Sequence, residues 1–135
     1  MIKGLHHNAY RCRDSEETRR FYEDFLGLPL ASALPIETTK TGRGANVLHT
    51  FYEMGDGSYL AFFEAPDQPF EFKEQHDFDL HIALEVDRAT LEEMFARGKK
   101  AGIETRLRPR LHRFDLRPRP ERLCDRAHHQ DRRGA

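Results

Sequence analysis

Two histidines, His7 and His81, stand in matching surroundings and are the residues best suited to hold a metal ion. Each lies in a His-x-Ala frame, and a Gly closes the segment 20 residues after His7 and 21 residues after His81. Neutral imidazole is a ligand for Fe, Mn, Zn and Ni, and two His with one carboxylate form the facial arrangement of non-haem Fe(II) centres. The repeat therefore predicts a two-histidine metal site. The open alternative is that each imidazole packs in a sheet and hydrogen-bonds a neighbour.

The elements that must position His7 are predicted by the pattern of residues around it. Residues 5–12 alternate as a strand, which sends His6 and His7 to opposite faces and leaves His7 in the repeated frame. The next helix begins at Asp14, where Glu17 completes a capping box, and ends at Gly27. A short strand, a loop and a hairpin with its turn at residues 55–57 follow. Residues 1–65 are therefore predicted to form a βαβββ module.

A second module is predicted to begin after a connection over residues 66–77. Residues 78–86 favour a strand and residues 87–102 a helix. The apolar face of this helix recurs every three or four residues and comprises Leu91, Met94, Phe95, Gly98 and Ala101. The module (78–105) is predicted to stop after its helix, because residues 106–135 contain no Ile, Val, Tyr or Met.

These segments resemble the vicinal oxygen chelate (VOC) superfamily, which includes glyoxalase I, extradiol dioxygenases, methylmalonyl-CoA epimerase and the bleomycin and fosfomycin resistance proteins. The resemblance is carried by LHHNAYRCRDSEETRRFYEDFLGLPL (5–30), GDGSYLAFFEAP (55–66) and DLHIALEVDRATLEEMFARGKKAGIE (79–104). It implies an α+β fold in which paired βαβββ modules form a glyoxalase/dioxygenase-like open barrel around a divalent metal. His7 and His81 are the metal ligands that it implies, and the second module is incomplete in this chain.

The resemblance leaves the carboxylate ligand open. Where family members place a ligand in the last strand of the first module, this chain has Ala61, which cannot bind a metal. Glu64 is the nearest carboxylate and is kept as a candidate ligand, although strand alternation turns it to the other face unless a bulge intervenes. The alternative for Glu64 is a solvated acid at a strand end. Family members also carry Asp-Pro-Asn-Gly-Tyr-x-Ile-Glu-Leu in the last strand of the second module, and this sequence contains no such segment.

The tail, residues 106–135, is rich in arginine: it holds ten Arg, no Lys and four acidic residues. Arginines can contact phosphates, but Phe114 stands alone as an aromatic, which argues against binding of nucleic acid. Low apolar content with three Pro indicates disorder as a second interpretation. The third is a frameshift, because codons chosen for residues 119–127 spell Asp-Pro-Asn-Gly-Tyr-Val-Ile-Glu when read one nucleotide later.

The resemblance implies an enzyme that uses a divalent metal (Fe, Mn, Zn or Ni) on a small oxygen-bearing molecule, dioxygenase-like or glyoxalase/lyase-like, as a homodimer. One alternative is a metal-free drug- or antibiotic-binding protein whose pocket is lined by Tyr10, Phe62 and Phe63. Another is an inactive truncated form. The sequence has no apolar run long enough for a membrane span and no apolar leader, which predicts a cytoplasmic protein. Cys12 and Cys124 fit no metal or disulfide spacing.

The frameshift hypothesis predicts an inserted or deleted nucleotide in the source DNA between codons 104 and 111. Sequencing through this region should reveal a shifted frame that encodes the missing strand and its Glu. An intact frame whose tail matches relatives as written would overturn the hypothesis.

Overall fold

The structure is a computed structural model that describes residues 1–72, 76, 78–79, 82–108 and 113–117. Two compact units divide the chain, the first spanning Met1–Glu71 and the second beginning at Phe72. Each unit combines helix with strands, so the predicted α+β class is confirmed. No helix in the described part of the chain has both the length and the apolar character that crossing a membrane requires.

The first unit is the predicted βαβββ module. Its elements in chain order are β1 (His7–Arg11), α1 (Ser15–Arg19), β2 (Leu30–Thr38), β3 (Gly44–Glu53) and β4 (Tyr59–Glu64). Helix α1 begins where the Asp14 carboxylate accepts a hydrogen bond from the Glu17 backbone N–H at 2.8 Å. A π-helical segment, Arg20–Phe25, continues it. The predicted turn between β3 and β4 is confirmed, with Gly57 at a φ of 81°.

The four strands form one sheet in the order β1-β4-β3-β2. Strand β1 runs parallel to β4, with His7 opposite Tyr59, and the other neighbours are antiparallel. Strand β2 lies at the sheet edge, which explains why it tolerates Pro35: an edge position needs no N–H at that residue.

Strand alternation gives the sheet two chemically different faces. One face, called the histidine face below, carries His7, His49, Phe51, Tyr59 and Phe63. The other, called the helix face, carries Tyr10, Thr50, Tyr52, Leu60, Phe62 and Glu64. The π-helical segment packs on the helix face, where the Tyr22 ring lies 4.6 Å from Phe62 and 5.8 Å from Tyr52 between centroids.

The core of the first unit therefore lies on the helix face. Tyr52 has no solvent exposure there, and Leu60 and Phe62 are buried. Burial also raises the pKa of Tyr22 to about 12, because an ionised phenolate would lose its hydration.

The second unit contains one helix and a small sheet. Its elements are β5 (Leu84–Glu85), α2 (Arg88–Ala101), β6 (Glu104–Arg108) and β7 (Arg113–Arg117), and its strands pair in the antiparallel order β5-β7-β6. Helix α2 begins where the Asp87 carboxylate accepts a hydrogen bond from the Thr90 backbone N–H at 2.7 Å. It ends at Gly102, whose φ of 71° suits glycine. The buried residues Leu91, Met94 and Gly98 confirm the predicted apolar face.

Two expectations about this unit were wrong. Among the described residues of the predicted strand 78–86, only Leu84–Glu85 form a strand, and they pair with Phe114 and Arg113 of β7. The chain also does not stop after its helix, since β6 and β7 lie partly or wholly beyond residue 105. Backbone hydrogen bonds pair β6 with β7. The low strand propensity of these residues does not prevent the pairing, because propensity differences amount to only about 1 kcal/mol and depend on context.

The described residues of the second unit form βαββ, one strand fewer than the first unit. Residues 118–135 lie outside the described part of the chain. The interpretation of the tail as aberrant therefore stays a prediction.

The packing of Phe62 gives a stability prediction. Phe62→Ala should lower the free energy of unfolding by about 3–5 kcal/mol, because it leaves a cavity under the helix. Leu34→Ala, at a side chain that is 50% exposed, is the matched control and should cost about 1 kcal/mol or less. Urea unfolding followed by circular dichroism measures both. Equal, small losses would contradict the assignment of Phe62 to the core.

Candidate functional site

His7 lies on the edge strand β1 and is exposed on the histidine face. Its ring centroid is 5.2 Å from that of Phe51 and 5.9 Å from that of His49. The Nδ1 atoms of His7 and His6 are 2.7 Å apart, so one of them donates a shared proton to the other. When His7 is the donor, its Nε2 carries a lone pair for a ligand. The structure therefore places the first predicted ligand on an accessible surface.

His6 departs from the expected alternation. Strand alternation predicts that His6 and His7 point to opposite faces, yet their rings meet edge to face with centroids 5.0 Å apart. The reason is that β1 begins at His7, so His6 precedes the strand and is not bound by its alternation.

His49, on β3, also lies on this face, and the sequence repeat does not mark it as a ligand. It is buried, with 8% of its surface exposed. Its Nδ1 lies 3.0 Å from the Phe62 backbone carbonyl, and because a carbonyl only accepts, Nδ1 must be the donor. The ring stacks on Phe63 with centroids 3.8 Å apart and planes 11° from parallel. The alternation within the predicted hairpin was the signal that could have found it, since it pairs His49 with Phe51 on one face.

Glu64 lies on the helix face, which is the other side of the sheet from His7. The β3–β4 ladder runs in register from Glu53–Tyr59 to Leu48–Glu64, so no bulge turns this side chain back. Its Oε1 accepts a hydrogen bond from the Ser15 backbone N–H at 2.7 Å. The structure therefore does not bring Glu64 to His7 and instead uses its carboxylate to hold the start of α1.

The three predicted pocket residues are likewise divided between the faces. Tyr10 and Phe62 lie on the helix face, with ring centroids 6.4 Å apart, and Phe62 is buried in the core. Phe63 lies on the histidine face, because neighbouring residues of a strand alternate. These three side chains consequently do not line a common pocket.

The structure says less about the remaining predicted residues, His81, Cys12 and Cys124. His81 lies outside the described residues, so its role as second ligand stays a prediction, and Cys124 lies outside them too. Cys12 is a buried free thiol whose pKa is raised by burial, which favours a small packing residue over a nucleophile. In the described residues, no three side chains of His, Cys, Asp or Glu gather closely enough to hold a metal ion.

Comparison with known proteins identifies the family. Residues 4–118 match the model of the Glyoxalase/Bleomycin resistance protein/Dioxygenase superfamily. The chain therefore belongs to this superfamily, and the resemblance to the VOC proteins is confirmed. The match continues past residue 105 and ends within the Arg-rich tail. No curated protein matches the sequence.

Solved structures share the fold at low sequence identity. A variant of the fosfomycin resistance protein FosX from Listeria monocytogenes, complexed with Mn(II) and dihydroxypropylphosphonic acid, has a TM-score of 0.61 and 22% identity over 87% of this chain and 85% of that chain. FosX from Mesorhizobium loti has a TM-score of 0.54 and 24% identity, covering 86% of this chain and 83% of its own. A glyoxalase family protein from Enterococcus faecalis has a TM-score of 0.56 and 22% identity, covering 78% of each chain. At this identity, the likeness establishes the fold.

The placement of Glu64 gives a prediction that separates a structural carboxylate from a ligand. Glu64→Ala should lower the free energy of unfolding by about 1–2 kcal/mol, because the Ser15 N–H loses a charged acceptor. It should leave the affinity for Zn²⁺ unchanged. Glu64→Gln is the matched control, since its amide oxygen can still accept this hydrogen bond. Weaker metal binding by Glu64→Ala without loss of stability would show instead that Glu64 is a ligand.

Proposed function

We propose that the protein is a divalent-metal-dependent enzyme that acts on a small oxygen-bearing molecule. The observation that carries this proposal is the accessible imidazole of His7 among the aromatic rings of the histidine face, with its Nδ1 in contact with His6. Histidines that bind metals almost always have their second ring nitrogen hydrogen-bonded, which fixes the tautomer and the ring orientation. In the tautomer in which His7 Nδ1 donates to His6, the Nε2 atom of His7 carries the lone pair that a metal ligand needs.

His81 is proposed as the second ligand, on the strength of the sequence repeat that it shares with His7. Fe, Mn, Zn or Ni suits imidazole ligands of this kind. A bound metal would serve as a Lewis acid and as a template for two neighbouring substrate oxygens. The chain's own contribution would be to hold that metal through His7, whose ring packs against Phe51.

The structural neighbours support the coarser part of this proposal. In the FosX complex described above, the same fold holds Mn(II) together with a small phosphonic acid that carries hydroxyl groups. We propose dioxygenase-like or glyoxalase/lyase-like chemistry from membership of the superfamily. We also propose that the protein acts as a homodimer in the cytoplasm, a reducing compartment in which the free thiol of Cys12 is expected.

Two alternatives each have a specific observation in their favour. The closely packed rings of His49, Phe51 and Phe63 favour a metal-free protein that binds a flat apolar drug or antibiotic on this face. The absence from the sequence of the segment that carries the family's metal-binding Glu favours an inactive form. Metal content separates both alternatives from the enzyme.

Protein expressed in metal-replete medium should contain a near-stoichiometric amount of one of the four metals by elemental analysis. His7→Ala and His81→Ala should each lose most of the bound metal, because each removes one of only a few protein ligands. His76→Ala removes an exposed histidine of the connection between the modules and should retain the wild-type content. Metal-free wild-type protein with a cooperative thermal transition would contradict the enzyme and favour the binding protein.

A further inference from the structure

We propose that His49 and His7 together bind a divalent transition metal within the first unit. His49 is a ligand that the family resemblance does not assign, and the proposal shares with the proposed function only the use of His7. It answers a question that the sequence raises, namely what takes the place of the metal-binding Glu that this chain lacks.

The separation of the two rings suits a shared metal. Two imidazoles that bind one ion through nitrogens at about 2.1 Å place their ring centres about 5–6 Å apart. The centroids of His7 and His49 are 5.9 Å apart, and their planes are inclined by 61°. Both side chains lie on the histidine face, on strands that flank β4.

The hydrogen bond of His49 fixes the tautomer that a ligand needs. Because Nδ1 donates to the Phe62 carbonyl, the neutral ring carries its lone pair on Nε2. A backbone carbonyl that accepts from the second ring nitrogen is a typical partner of a metal-binding histidine and raises its basicity. This bond is independent of the contact with His7 and is a second argument for ligation.

The surroundings also hold the His49 ring in place before any metal binds. Phe63 stacks on it at 3.8 Å and Phe51 lies 4.2 Å away, between centroids. A ligand fixed in this way loses little conformational freedom on binding. Imidazole nitrogens at such a site favour Zn²⁺, Ni²⁺, Co²⁺ or Fe²⁺ over Mg²⁺ and Ca²⁺, which prefer oxygen ligands.

Zn²⁺ affinity, measured on the full chain by competition with a chromophoric chelator, tests the proposal. His49→Phe keeps an aromatic ring against Phe63 and removes the nitrogens, so it should bind Zn²⁺ about tenfold more weakly or worse. His76→Phe makes the same chemical change at an exposed histidine and should leave the affinity unchanged. Circular dichroism confirms that each variant is folded.

A second measurement needs no variant. In the wild-type protein, Zn²⁺ should shift the ¹⁵N resonance of His49 Nε2 while Nδ1 stays protonated. An unchanged His49 ring, or wild-type affinity in His49→Phe, would overturn the proposal. If His7→Ala and His81→Ala still lose the metal in that case, the proposed function stands without His49. Loss in His49→Phe and His7→Ala but not in His81→Ala would support the pair and contradict His81 as a ligand.

Discussion

The parallel pairing of β1 with β4, together with the antiparallel β3–β4 ladder, determines which side chains can meet. A shift of one residue in this register would move every side chain of a strand to the other face. His7 would then lie under the helix, and Phe62 would leave the helix face. Burial of large side chains prevents the shift, since each of Tyr52 and Phe62 contributes about 2 kcal/mol or more to the native register. The placement of the histidines is therefore a consequence of how the helix face packs.

The register of the sheet also decides which polar groups find hydrogen-bond partners. Leaving a buried imidazole or a half-buried carboxylate without a partner is costly, and both His49 and Glu64 form hydrogen bonds with the backbone. Glu64 is committed to the start of α1, so its charge stabilises the join between the helix and the sheet. His49 donates a hydrogen bond from Nδ1 to the Phe62 carbonyl. Its Nε2 lone pair can therefore bind a ligand on the histidine face.

Much of the first unit could be predicted from local signals. A few neighbouring residues determine each of three features: the Asp14 cap, the turn at Gly57 and the alternation of β1. What could not be predicted depends on partners distant in sequence. The role of Glu64 needs Ser15, and the importance of His49 needs the β3–β4 register. Strands β6 and β7 were missed because backbone pairing formed them despite weak strand propensity.

The histidine face is proposed to bind a divalent metal through imidazole nitrogens. X-ray absorption at the Zn edge of the Zn²⁺-loaded wild-type protein tests it most directly, because multiple scattering from imidazole rings counts the bound histidines. We expect at least two imidazoles at the metal–nitrogen distance of about 2.0–2.1 Å. A spectrum of oxygen ligands alone, without imidazole scattering, would contradict it.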